Sequence, residues 1–267
     1  METPSQIAFI TSTIRNFLNY LLHHNVCPEY ADDINATREL CDRANVELYQ
    51  IAQINPSLPG DFNQACSTLY GGYYKQLWEG LVEKETWAKE VVMTGLATYG
   101  TDEQVALATK GLSVVGSGRQ NFQVTEIIRA SEETKEWYRR EVKSSILPLG
   151  KIRAKPWTDS YAADEDFTDD EGDASKKPRA SEAFEFWLED ELLQHWVVGM
   201  KLNAVVSSLN NGVAYFDTAA GVLASFYEEL DAEVMVKWKK PREIPEDEEG
   251  AAQEENVEAA DGEDIDD

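Results

Sequence analysis

The sequence is poor in the residues that most chemistry needs. It has three histidines and three cysteines in 267 residues. The cysteines, Cys27, Cys41 and Cys66, are odd in number and widely spaced. They imply no disulfide framework and suit a reducing compartment. No phosphate-binding Gly-Lys-Ser/Thr loop, dinucleotide fingerprint or nucleophile elbow is present. Gly116-Ser117-Gly118 falls short of any glycine-rich phosphate loop and reads as a plain turn. His23, His24 and Cys27 come nearest to a metal cluster. Adjacent residues on a helix diverge by about 100 degrees, so the two imidazoles do not suit one ion. The blander reading is a polar helix end with buried cysteines packing as small hydrophobes. His195, among Leu192, Leu193 and Trp196, reads as a partly buried, satisfied side chain rather than a base. The expectation is no enzyme, no catalytic residue, no metal and no cofactor. An enzyme of unrecognised type using the His23/Cys27 neighbourhood is an alternative.

Long apolar runs are also missing. No stretch of about 18 apolar residues exists, so no membrane span is expected. No basic region followed by an apolar run opens the chain, so no signal peptide is expected. The expected location is nucleus and cytoplasm.

Bases are scarce: 24 Lys and Arg stand against 50 Asp and Glu, a formal net charge of −26. The imbalance is local. Residues 243–267 hold thirteen acids and no base, and residues 159–173 hold eight acids and no base. Like-charge blocks repel themselves and are expected to be disordered. The remainder carries 29 acids against 24 bases. Affinity for phosphates rests on Lys and Arg, so direct nucleic-acid binding is not expected. An acidic tail of this kind solubilises the chain or meets a basic partner such as a histone.

What the sequence does have is core material: 42% hydrophobic residues, including seven Trp, eleven Tyr and nine Phe. Thr3-Pro4-Ser5-Gln6 starts a helix, with Thr3 as cap and Pro4 in the first turn. Ile7, Ile10, Ile14, Phe17, Leu18 and Leu21 then define one apolar face, ending near His23 and His24. A second helix is predicted from Pro28 to Ile54, with Ile34, Cys41, Leu48 and Ile51 inward. Asn55-Pro56 and Leu58-Pro59-Gly60 break the chain, and Asp61 caps a third helix carrying Phe62, Cys66 and Leu69. Gly71-Gly72 ends it. A helix with Trp78, Trp87, Val91, Val92 and Leu96 follows. Thr101-Asp102-Glu103-Gln104 is a capping box for one with Val105, Leu107 and Leu112 inward. Tyr70, Tyr73, Tyr74 and Trp78 with Lys75 invite comparison with a base-stacking platform. Without a basic groove they read as core or interface.

After Val115 the pattern changes. Phe122, Val124 and Ile127 or Ile128 suit a short strand, Ser131–Val142 a charged helix, and Ile146–Trp157 an extended segment. Ala183–Val198 is apolar on one side and reads as a helix. Leu202–Leu209 and Val213–Phe216 flank Asn210-Asn211-Gly212, a hairpin signal with a helix turn as the alternative. The run after Phe216 fits strand or helix. The predicted class is α+β, mainly α-helical: a helical N-terminal half and a mixed α/β C-terminal half. The predicted organisation is a mainly helical part at 1–157, a disordered acidic insert at 158–181, a helix-plus-hairpin block at 182–242 packing on the first part, and a disordered acidic tail at 243–267. No partner-binding residue is singled out.

Several strings in order resemble one fungal family. They are Phe17–Tyr30 (FLNYLLHHNVCPEY), Leu58–Asn63 (LPGDFN) leading into Ala65–Tyr74 (ACSTLYGGYY), Ile128–Thr134 (IRASEET) and Pro148–Trp157 (PLGKIRAKPW). Phe186–Glu191 (FWLEDE), Gly199–Lys201 (GMK), Ser225–Tyr227 (SFY) and Trp238–Arg242 (WKKPR) complete the set. The chain is similar to the Argonaute siRNA chaperone complex subunit of fungi, over about Phe17 to Arg242. The resemblance implies a non-enzymatic partner of Argonaute carrying duplex siRNA, acting with a second chaperone subunit. It also implies restraint of slicing and passenger-strand release, in support of siRNA-dependent histone H3 lysine-9 methylation and heterochromatin assembly. Family members carry a basic extension ahead of the Phe17 string, where this sequence has sixteen residues. A histone-binding acidic chaperone acting without Argonaute is a further alternative.

Overall fold

The computed structural model describes residues 4–157 and 183–228. Helices dominate up to Lys110 and strands thereafter. The order is α1 (Pro4–His23), α2 (Ala31–Ile54), α3 (Asp61–Tyr70), α4 (Tyr73–Leu77), α5 (Val82–Tyr99), α6 (Asp102–Lys110) and β1 (Val114–Ile128). Then come α7 (Glu132–Glu141), β2 (Leu149–Pro156), β3 (Phe184–Glu189), α8 (Asp190–Leu193), β4 (Lys201–Leu209), β5 (Ala214–Asp217) and β6 (Val222–Leu223). The expected Thr3 cap and the expected disorder of the insert and the acidic tail lie outside the described residues.

The strands form one antiparallel sheet in the order β3-β2-β1-β4-β5, with β6 pairing the start of β4. Residues before 157 and after 183 therefore share a single sheet, with β1 at its centre. Successive strand residues point to opposite faces, and both faces are filled. Phe122, Phe186 and Phe216 cluster with Ile51 and Ile54 of α2 and with Trp196. Trp187, Tyr215 and Leu149 face the other way, against Phe62 and Cys66 of α3 and Val91 and Leu96 of α5.

The caps of α6 and α7 follow the sequence closely. Thr101 accepts from Gln104 N–H at 3.2 Å while the Gln104 side chain accepts from Thr101 N–H at 2.9 Å, closing the capping box of α6. Ser131 accepts from Thr134 N–H at the start of α7. Asn210-Asn211-Gly212 turns β4 into β5, with Gly212 at φ +83°.

Five expectations need correction. The residues Ala183–Val198 are not a helix: Phe184–Glu189 is a strand, followed by the single turn of α8. Both faces of β3 are buried, so apolar residues occur at both parities and imitate a helical stripe. Gly116-Ser117-Gly118 is not a loop but part of β1, where β4 supplies its ladder. Asp61 is not the cap of α3: Gly60, at φ +87°, holds that place and Asp61 begins the helix. Pro28–Tyr30 is a separate 3-10 turn ahead of α2. Leu107 lies on the exposed side of α6.

Candidate partner-binding surface

Three of the strings that carry the family resemblance, Leu58–Asn63, Ile128–Thr134 and Phe186–Glu191, meet inside the protein, while Trp238–Arg242 lies outside the described residues. Asn63 is fully buried. Its Nδ2 donates to Pro59 O (2.9 Å) and Trp187 O (3.1 Å), and its Oδ1 accepts from Phe216 N–H (3.1 Å). One amide thus ties α3 to β3 and β5. Glu189 Oε1 accepts from Phe62 N–H at 2.9 Å, serving the N-terminus of α3 that no cap side chain serves. Burial pushes the Glu189 carboxyl up to about 7, with the charge of Asp61 adding to it and the Phe62 N–H opposing it. A Cβ at Gly60 would strike this carboxylate, which is a reason for glycine there.

Asp190, next along, takes Arg129 through Nε at 2.6 Å and Nη2 at 2.8 Å, and Ala130 N–H at 2.8 Å. Burial works against its charge, but the Arg129 and Ala130 hydrogen bonds prevail and hold it below the usual carboxylate range. Asp217 accepts from Ser67 Oγ (2.7 Å) and Tyr73 N–H (2.8 Å), fixing the start of α4. Lys201 is buried beneath the rings of Trp157 and Tyr227 and donates to Ser225 O and Tyr227 O. Glu47 of α2 accepts from Ser225 N–H and Oγ. These motifs are clasps between helices and sheet.

Other candidates are placed as follows. His23 and His24 are exposed at the end of α1, their rings edge-on at 5.0 Å. Cys27 is half-buried and Cys41 buried. Cys66 is buried in α3, where desolvation pushes its thiol well above the ordinary range. Among the described residues no three His, Cys, Asp or Glu side chains are grouped to hold a metal, and no helix is long and apolar enough to cross a membrane. His195 is half-buried on the rim of a cleft of about 440 Å³ with Gln194, Asp61, Glu189 and Glu191. Tyr73 and Tyr74 meet edge-on, Tyr74 packs on Trp78, and Trp78 meets Trp87, with Lys84 Nζ over both indoles at 4.3 and 5.3 Å.

The surface most suited to a partner is on α1. Of the apolar set read from its sequence, Ile7 and Leu18 pack inward, while Ile10, Ile14 and Phe17 point out. With Phe9 and Tyr20 they form a stripe of five side chains, each 45% to 71% exposed. α1 packs chiefly on α2. Arg15 is its only acidic or basic residue besides His23, and it is paired to Asp42 of α2 at 2.8 Å. Spacings of three and four residues give a seam that another helix can fit. Contiguous exposed apolar patches of more than a few hundred Å² are the kind of surface that interaction sites use.

A family model described as "Argonaute siRNA chaperone (ARC) complex subunit Arb1" matches residues 1–241. The chain belongs to this family. It is 25% identical over 248 residues to Argonaute-binding protein 1 of Schizosaccharomyces pombe (strain 972 / ATCC 24843), a match covering 87% of this chain and 58% of the relative. The chain thus spans less than two thirds of that relative's length. No solved structure matches. Sequence reasoning reached the ARC family through its strings. It missed the outward turn of the α1 stripe, for which the lack of charge across Pro4–Leu22 apart from Arg15 was the available signal.

Proposed function

We propose that this ARC-family chain is a non-catalytic subunit that binds Argonaute while Argonaute carries duplex siRNA. In this reading it resides in nucleus and cytoplasm, restrains slicing and passenger-strand release, acts with a second chaperone subunit, and supports heterochromatin assembly. The reading is supported by the family match over residues 1–241 and by the printed name of its relative. The uncharged stripe of α1 offers the contact face. Burial of Phe9 and Phe17 against a partner would supply hydrophobic driving force of about 1.5–3 kcal/mol per side chain.

Affinity purification of the tagged chain from its host, read by mass spectrometry and small-RNA sequencing, tests the reading. Recovery of Argonaute with double-stranded siRNA supports it. Intact bait without Argonaute at low salt overturns it. The thirteen acids of residues 243–267 favour a second reading, histone binding without Argonaute. It predicts that histones are retained by the full chain and lost when residues 243–267 are removed.

A further inference from the structure

β1 runs for 15 residues, but its two edges are used unequally. On one side β4 accompanies it from Val114 to Gln123. On the other, β2 pairs with it only from Phe122 onward, and Trp157 N–H donates to Asn121 O at 3.0 Å where that ladder stops. Among the described residues no strand accompanies Val114–Gln120 on this side.

The direction of each peptide follows from the bonds. Asn121 turns its carbonyl toward the β2 side. Val124, three residues on, donates to Met200 O and accepts from Gly199 N–H, both on the β4 side. Alternation along the strand places Ser117 and Arg119 with Asn121. The N–H and C=O of Ser117 and Arg119 therefore face the side on which, among the described residues, no strand lies. The flanking side chains leave room there. A Cβ at Gly116 would meet nothing within 4 Å, and one at Gly118 only Gln120 Nε2 at 3.8 Å. No proline or lysine guards the stretch, and Arg119 is its only charge.

We propose that this edge receives an extended strand of Argonaute, laid in line with β2. Its main chain bonds to Ser117 and Arg119, and its bulky apolar side chains cover Gly116 and Gly118. The proposal rests on the Argonaute-binding reading and adds to the α1 stripe a contact of different chemistry. Continuity with the β2 ladder sets the register of the incoming strand. A second copy of this chain is a poorer occupant. Two chains of net charge −26 repel, and two-fold pairing about Arg119 would set like charges opposite one another.

The test is amide hydrogen exchange at Ser117 and Arg119 in the full chain, alone and saturated with purified host Argonaute. Fast exchange alone, slowed at least about tenfold in the complex, supports the proposal. Arg119→Pro removes an outward N–H while leaving the backbone ladder to β4, and like Arg119→Ala it loses the side-chain bond to Asn203 Oδ1, so it should melt as Arg119→Ala does and bind Argonaute about tenfold more weakly. Arg119→Ala should bind within about twofold of the parent. A complex that forms with no added protection, and with Arg119→Pro binding normally, overturns the edge and leaves the Argonaute reading standing. No complex at low salt from a folded chain overturns both. Protection in the free chain that disappears when residues 160–180 are deleted assigns the edge to the chain's own segment and overturns the proposal. So does protection that grows with the concentration of the chain alone.

Discussion

Replacing Asn63 with Leu would leave Trp187 O and Phe216 N–H without their partner deep between helix and sheet. Each orphaned buried group costs about 1–3 kcal/mol, so urea unfolding should lose about 3–5 kcal/mol, against well under 1 kcal/mol for an exposed position such as Gln76. Glu189 makes a pH-dependent prediction. Its folded pKa, about 7, lies above that of an unfolded glutamate. Its favourable contribution is thus fully present below the unfolded value near 4.5 and is lost as pH rises through 7. Glu189→Gln, neutral throughout, should flatten the fall in melting temperature between pH 5 and pH 8. Asp190 acts in the opposite sense. Its depressed pKa gives stability above the unfolded value that disappears in acid, and Asp190→Asn should blunt the acid limb of the same curve.

At the scale of elements, α1 is the piece most separable from the rest, because its packing is chiefly with α2 through Ile7, Thr11 and Leu18. Leu18→Ala should release α1 locally. Its amides should exchange much faster while those of β1 and β4 keep their protection. The capping box at Thr101 and the turn at Asn210-Asn211-Gly212 are where sequence and structure agree best. Thr101, Gln104 and Ser131 act through neighbours three residues away, and the Asn210-Asn211-Gly212 turn closes through Leu209 and Val213, so their meaning is local. The failures lie where meaning is not local. Phe184–Glu189 became a strand because β2 pairs with it and both its faces are covered, and Gly116-Ser117-Gly118 became a strand because β4 lies beside it. Periodicity in α1 was visible, but which half of the stripe meets α2 depends on a partner helix that begins eight residues later. The clasps at Asn63, Glu189 and Asp217 were visible only as unexplained polar letters amid apolar ones, since each joins residues more than 100 positions apart.

At the scale of the whole molecule, charge is concentrated rather than spread. Residues 243–267 supply thirteen of the 50 acids. Opposite charges attract over about 8–10 Å at physiological salt. If this segment meets the basic surroundings of Argonaute's nucleic-acid channel, its deletion should weaken association and flatten the dependence on salt. Binding that is unchanged across salt concentrations would count against that role. Phe9→Ser with Phe17→Ser should instead lower affinity by about tenfold or more at every salt concentration, as pull-down titration would show, with little change in melting temperature.

The sheet is shared across an interruption. β1 takes β2 on one side and β4 on the other, and β2 in turn takes β3 from beyond residue 182. A peptide bond cut anywhere in 158–182 would therefore divide the sequence without cutting any of the described strands. The halves would be held by nine paired positions between β1 and β4, six between β2 and β3, and the buried clasps described above. Two polypeptides divided there are expected to reconstitute one another when mixed, which co-purification of the pieces would check. The covalent link across 158–182 would then be a convenience of synthesis and not a requirement of the sheet.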